Sequence, residues 1–210
     1  VIFAMLALSP LWLMAQKGGE YTYSFLGLTN SAKVAAMGGE VVSLADDDIN
    51  LVFHNPALLS GAMHNHLTLN YVDHLAGVNV GYAAYAYQAK GIGNFSAGMH
   101  YVNYGNFNWT DEYGESLGTF RASEYALNLV YSRTILDSLF TVGVNLKPIY
   151  SSLERYSSLG IVFDVGLVYH NPRTLTTLAF VAANMGTQLT TYTGRREKVP
   201  FEMQAGVTQG

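Results

Sequence analysis

Asp46, Asp48 and Asn50 follow one another at i, i+2 and i+4, the spacing with which a calcium loop presents its first oxygen ligands. Such a loop also needs a glycine for its sharp turn and a closing glutamate. Leu51 stands where the glycine belongs and no glutamate closes the run, so a solvated turn with local Asx bonds is the expected structure. His64 and His66 would share one face of a strand and offer two imidazoles to a metal, but no third ligand stands nearby. They read as surface histidines close to a membrane interface. Asp111, Glu112 and Glu115 have the composition of an acid–base pair, yet they sit among Tyr113, Gly114 and Ser116, as an exposed polar loop does. Arg195, Arg196 and Lys198 form a basic cluster in a loop rather than a stripe of the kind nucleic acid requires.

The sequence contains no HExxH or phosphate-loop pattern. Gly91-Ile92-Gly93 reads as a tight turn, because no helix follows it. Cysteine is absent, which removes disulfides, thiolate metal sites and cysteine nucleophiles together. The expectation is a non-enzymatic protein with no catalytic, cofactor-binding or metal site and no nucleic-acid partner. Two charges do fall inside strand-like runs. Lys147 and Asp164 both lie on the small or polar face of their segments, and in a barrel they would point into the lumen and pair there.

The elements that must carry these residues are set by composition and period. Half of the 210 residues are hydrophobic and only 12% are charged, against about 25% in ordinary soluble domains. Such a chain needs an apolar surrounding or a very large core. A helical span takes about 20 consecutive apolar residues, and the only long apolar run is at the extreme N-terminus. A closed barrel is the other structure that satisfies every backbone group within lipid. The chain is also rich in tyrosine (15) and phenylalanine (10), of which tyrosine suits positions with one dry and one wet end.

The first fifteen residues, Val1 to Ala15, form an apolar stretch ending in a small residue and followed by a polar switch at Gln16-Lys17. They read as the remainder of an export signal. Residues 16–63 read as an irregular N-terminal segment. Tyr21 to Leu28 is expected as a short strand, Ser31 to Met37 as one or two helical turns stopped by Gly38-Gly39, and Glu40 to Leu44 as strand-like. Asn55-Pro56-Ala57-Leu58-Leu59 is expected to open another helical turn, with proline in the first turn.

After Met63 the period becomes two. Leu67, Leu69 and Tyr71 alternate with polar neighbours, and so do Phe95, Ala97, Met99 and Tyr101. Tyr125, Leu127, Leu129 and Tyr131 repeat the pattern, as do Val142, Val144 and Leu146, and then Ile161, Phe163, Val165, Leu167 and Tyr169. Eight strands are expected, at about 65–73, 78–88, 93–104, 121–133, 138–150, 158–170, 174–185 and 200–210. Runs of about ten residues suit a tilted membrane strand better than the soluble mean of about five or six. The faces opposite the apolar residues read as mostly Gly, Asn, Ser and Thr. The short connections, around Lys90-Gly91, at Thr134 to Asp137 and at Asn171-Pro172-Arg173, share one parity. The long ones, Gly105 to Phe120 and Gly186 to Val199, share the other, which is the asymmetry of an outer-membrane barrel. The final segment stops while a strand is under way, so eight is expected to be a lower bound. A soluble periplasmic all-β protein is the competing fold, and it requires polar rather than apolar residues on the outward faces.

From Tyr21 to Ala57, several runs resemble the PorV/PorQ branch of the FadL-like outer-membrane proteins. They are Tyr23-Ser24-Phe25-Leu26, Ser31 to Gly39, Asp46-Asp47-Asp48-Ile49-Asn50 and Asn55-Pro56-Ala57-Leu58-Leu59. Leu69-Asn70-Tyr71-Val72, Gly81 to Tyr85, His100 to Gly105, Tyr125 to Leu129 and Asn145 to Ser151 are similar to the PorQ members of that branch. The resemblance implies an all-β, antiparallel transmembrane barrel of fourteen strands when complete, with an N-terminal hatch in its lumen. Residues 64–210 would be its first part. It also implies a place in the outer membrane and a non-enzymatic role in the type IX protein secretion system of Bacteroidetes. There the barrel anchors the cell-surface attachment complex, with partners resembling PorZ, PorU and PorV. The alternative within the same fold is a FadL-like transporter of hydrophobic small molecules, which needs an apolar lumen path.

Overall fold

A computed structural model of the chain describes residues 21–74, 77–135 and 139–210. The expected export signal, Val1 to Ala15, lies outside the described residues. The fold is all-β. One antiparallel sheet holds eight strands in consecutive order, each hydrogen-bonded to the next in sequence. They are β1 (Leu67–Asp73), β2 (Asn79–Ala89), β3 (Gly93–Thr110), β4 (Ser116–Ile135), β5 (Phe140–Leu153), β6 (Tyr156–Asn171), β7 (Thr176–Thr190) and β8 (Glu202–Gln209). The sheet is open: among the described residues β1 and β8 do not pair with each other.

The strands run longer than the period-two pattern alone predicts. β3 has 18 residues and β4 has 20, so the expected loop Gly105 to Phe120 is mostly a two-stranded ribbon. Cross-strand aromatic stacking offsets its polar residues and keeps the two strands paired. Phe107 pairs with Phe120 in register, and their rings stack at 5.1 Å. The ribbon closes at Asp111, whose Oδ1 accepts from the N–H groups of Tyr113 (2.9 Å) and Glu115 (2.8 Å). β7 likewise continues to Thr190, into the expected loop at Gly186 to Val199. The connection between β5 and β6 is only the turn Glu154-Arg155, shorter than expected.

Burial follows the alternation, with the apolar set on the outside. Along β5, Val142, Val144, Leu146 and Tyr150 are exposed, whereas Asn145, Lys147, Ile149 and Ser151 are buried. Along β6, Leu159, Ile161, Phe163, Val165 and Leu167 are exposed and Ser158, Val162, Asp164 and Val168 are buried. The inner face is not as polar as the sequence suggested. Val80, Tyr82, Ala84 and Ala86 of β2, with Val102, Ala126, Val130 and Ile149, form apolar seats on it.

Residues 21–66 fill those seats. Tyr21 to Leu28 is not a strand. Tyr23 adopts the left-handed region (φ 57°) and a 3₁₀ turn, Ser24–Gly27, follows it. Tyr23 is held there by its hydroxyl, 2.5 Å from Ser158 Oγ on β6, so a tertiary bond overrides local preference. The helical turn α1 (Ala32–Ala36) forms as expected, capped by Ser31 Oγ and stopped by Gly38 and Gly39 at positive φ. Glu40 to Leu44 adopts no regular strand. Pro56–Leu58 is a 3₁₀ turn with proline in its first turn, as expected.

Candidate functional site

The segment 21–66 touches the inner face of each strand in turn. Asn50 Oδ1 accepts from Thr68 Oγ1 (3.1 Å) and Asn70 Nδ2 (2.6 Å) on β1. The Gln88 backbone N–H on β2 donates to His64 Nδ1 at 3.0 Å. Leu59 carbonyl accepts from Asn94 Nδ2 (3.3 Å) on β3 and Ser132 Oγ (2.6 Å) on β4. Gln188 of β7 reaches Thr22, and Thr208 of β8 lies 2.8 Å from Ser43 Oγ. The sheet thus wraps around the segment, which crosses from the Gln188 end to the Gln88 end.

At β5 and β6 the approach is closest. The Asn55-Pro56-Ala57 turn presses on two strand glycines. A Cβ at Gly143 would collide with the Pro56 carbonyl, and one at Gly166 with the Asn55 side chain. Asn55 is fully buried and uses both ends of its amide. Its Oδ1 accepts from Ala57 N–H at 3.0 Å and its Nδ2 donates to Val42 carbonyl at 2.8 Å. This explains the local sequence: asparagine caps, proline needs no N–H partner, and the facing strands carry no side chain.

Beside this plug lies a buried ion pair. Lys147 Nζ is 2.7 Å from Asp164 Oδ2, with both side chains nearly inaccessible. The sequence placed these two charges on the inner face and expected them to pair, and they do. Asn145 stands directly opposite Asp164 in the ladder, and its Nδ2 bridges Asp164 Oδ2 (3.1 Å) and Asn128 Oδ1 (3.0 Å). A bulge completes the network. Phe163 pairs with Met185 and Val165 with Ala182, which leaves Asp164 facing both Ala183 and Asn184. Asn184 adopts φ 58°; its N–H donates to Asp164 Oδ1 at 2.8 Å, and its Oδ1 accepts from Lys147 at 3.1 Å. The extra residue would otherwise leave a backbone donor unpaired, and the carboxylate takes it up. Lys147 also sits 5.5 Å over the Phe53 ring of the plug.

A cavity of about 30 Å³ adjoins the pair, lined by Glu40, His54, Lys147, Glu202 and Gln204 among others. Burial, then the Lys147 charge, pushes the His54 imidazole down to about 4. Its Nε2 lies 3.1 Å from Asn30 Oδ1. His100 lies on the inward face of β3. It is buried, its ring packs edge-on to Phe53 at 4.9 Å, and neither ring nitrogen has a hydrogen-bond partner among the described residues. Its signal in the sequence was only its place on an inward face.

The other residues that could have carried chemistry are apart and structurally engaged. Lys33 pairs with Asp46 and stands 3.4 Å from Asp48; the hydrogen bond from Lys33 holds the Asp46 carboxyl below the usual carboxylate range. Asp48 Oδ1 caps the turn Ile49–Phe53 by accepting from Asn50 N–H. Asp46 and Asp48 make the local Asx bonds that the sequence predicted, but the run is not simply solvated: Lys33 pairs with both carboxylates, and Asn50 is half-buried against β1. His64 packs against Tyr87, 5.1 Å between rings. Among the described residues no group of three or more His, Cys, Asp or Glu is arranged to hold a metal ion. Arg195 and Arg196 are exposed in the connection after β7, and the Lys198 carbonyl accepts from Thr22 N–H at 2.9 Å.

These features define a class: an antiparallel meander that is apolar outside and encloses its own N-terminal segment on a mixed apolar and ionic inner face. No helix among the described residues is long and apolar enough to cross a membrane, which leaves crossing by strands untouched. No protein-family model matches the sequence, and no curated protein matches it.

Proposed function

We propose that this chain forms part of an outer-membrane β-barrel with a lumenal hatch. It serves, without enzymatic activity, as a membrane anchor of a cell-surface attachment complex of the type IX secretion system, in the manner of PorQ. One observation carries the membrane part: the outward faces of the strands are lined by large apolar side chains, and the inward faces hold Lys147, Asp164 and their asparagines. In water about 25 cal/mol per Å² of exposed apolar surface would oppose that arrangement, and in lipid it does not. The strands support it too, since β3 to β7 have 14 to 20 residues each, enough to span about 30 Å of hydrocarbon when tilted.

The assignment to the secretion system rests on the sequence resemblance. The β3–β4 ribbon adds a surface for a partner, projecting from the end opposite the β2–β3, β4–β5 and β6–β7 turns. Transport of a hydrophobic molecule is less well supported. The cavity beside the ion pair, about 30 Å³, suits water rather than an acyl chain, and the larger one of about 460 Å³ between the plug and Thr134, Thr141, Val168 and His170 lies apart from it. The test is affinity isolation of the tagged full-length protein from detergent-solubilised outer membranes. Co-recovery of PorU-, PorV- and PorZ-like proteins in fixed ratio is the expected result. Recovery of the barrel alone, with lipid bound inside, would overturn the anchor reading in favour of transport.

A further inference from the structure

At the Gln188 end of the sheet, a cavity of about 270 Å³ opens between the ribbon, β5 and the connection after β7. Tyr104, Phe107 and Tyr192 supply aromatic walls, and Glu124 a carboxylate, with Ser151 and Leu153 beside them. Among the described residues no lysine or arginine lines it. Tyr104 hydroxyl donates to Glu124 Oε2 at 2.6 Å, and Tyr192 hydroxyl donates to Ser151 Oγ at 2.5 Å. Both phenol protons are thereby committed, so toward a guest the two oxygens can act only as acceptors. Stacking on Phe120 fixes the Phe107 ring.

Each of these groups favours the same guest. Aromatic faces carry negative quadrupole, and a carboxylate carries full charge. Engaged hydroxyls act as acceptors. An anion would be repelled by all three, and a neutral alkyl group would leave the carboxylate without a counter-charge. We propose that the cavity binds an alkylammonium group, carried by a lysine side chain of a docking protein or by a free amine. The proposal does not depend on the secretion-system reading, since it concerns the mouth of the sheet alone.

Calorimetric titration of the full-length protein in detergent micelles tests it, with n-butylammonium, N-acetyl-lysinamide and neutral n-butanol as probes. The expected result is saturable binding of the two ammonium probes, at least tenfold tighter than butanol. Tighter binding of N-acetyl-lysinamide assigns the site to a protein lysine, and tighter binding of butylammonium assigns it to a free amine. Glu124→Gln, with its sheet signal by circular dichroism intact, should weaken both at least tenfold, and Glu154→Gln on the exposed turn should not. Equal binding of butanol, or no saturable binding of either ammonium probe to the unaltered protein, overturns the proposal without recourse to any variant.

Discussion

Lys147 and Asp164 lie on adjacent strands, two ladder positions out of direct opposition, and their side chains still meet at 2.7 Å inside the fold. The offset is what lets Asn145 stand opposite Asp164 and bond it as well. Desolvating two ions costs several kcal/mol each, and that cost is offset by bonds to both Asp164 oxygens and from Lys147 to Asn184, although Asn145 Oδ1 has no hydrogen-bond partner among the described residues. Removing one partner is therefore far worse than removing both.

Asp164→Ala should destabilise the fold by about 3–5 kcal/mol, because it strands a buried ammonium and frees the Asn184 N–H in the bulge. The double variant Lys147→Met, Asp164→Asn should recover more than half of that loss. Urea unfolding in micelles, run as a double-mutant cycle, measures both.

The plug is seated on glycines. Gly143→Val would drive a side chain into the Pro56 carbonyl, overpacking that costs about 1–3 kcal/mol. The expected outcome is retained sheet content with roughly tenfold faster protease cleavage within residues 21–63. Asn55→Ala, which removes a cap and leaves the Val42 carbonyl unpaired, should act in the same direction by about 0.5–2 kcal/mol. Unchanged protection in both variants would mean that the segment is not held by this turn.

Much of this was legible in the sequence, for identifiable reasons. Period-two alternation found all eight strands, and the placement of Lys147 and Asp164 on inward faces foretold their pairing. The Asn55-Pro56-Ala57 turn was legible because its capping is local. What escaped notice depended on distant partners. Tyr23 takes a left-handed turn because Ser158, far along the chain, receives it. The ribbon beyond Gly105 looked like a loop because its polar residues hid one stacked aromatic pair, Phe107 and Phe120. The inner face read as mostly small and polar because the alanines and valines that seat the plug carry no signal until the plug is placed.

His54 links the plug to pH. Its pKa falls from 6.5 to about 4 in the folded protein, through burial first and the Lys147 charge second. The unfolded chain therefore takes up a proton below about pH 6.5 that the folded protein refuses until about pH 4. The contribution to stability is full above pH 6.5 and is lost as pH falls toward 4. The urea midpoint should drop between pH 7.5 and 5, and the drop should be smaller in His54→Gln. Nuclear magnetic resonance titration of the His54 ring should show a neutral imidazole at pH 6.

Charge placed on the outward face should be penalised only in lipid. Val144→Arg should cost ~2–4 kcal/mol in a bilayer if the side chain lies near the midplane, and close to nothing if that face meets water. Unfolding from phospholipid vesicles compares the variant with the parent. Asn145 sits next to it in sequence and faces inward, so the effect belongs to the face and not to the neighbourhood.

The most direct test of the outward apolar face uses the absence of cysteine from these 210 residues, with any cysteine elsewhere in the full-length protein replaced by serine. Val144→Cys and Leu167→Cys, both about two-fifths exposed in the parent (42%), can each be labelled with an environment-sensitive fluorophore in the full-length protein reconstituted into vesicles. A barrel that meets lipid with this face predicts blue-shifted emission, quenched by doxyl-labelled phospholipid and indifferent to aqueous iodide. Red-shifted emission that iodide quenches and doxyl lipid does not would contradict it.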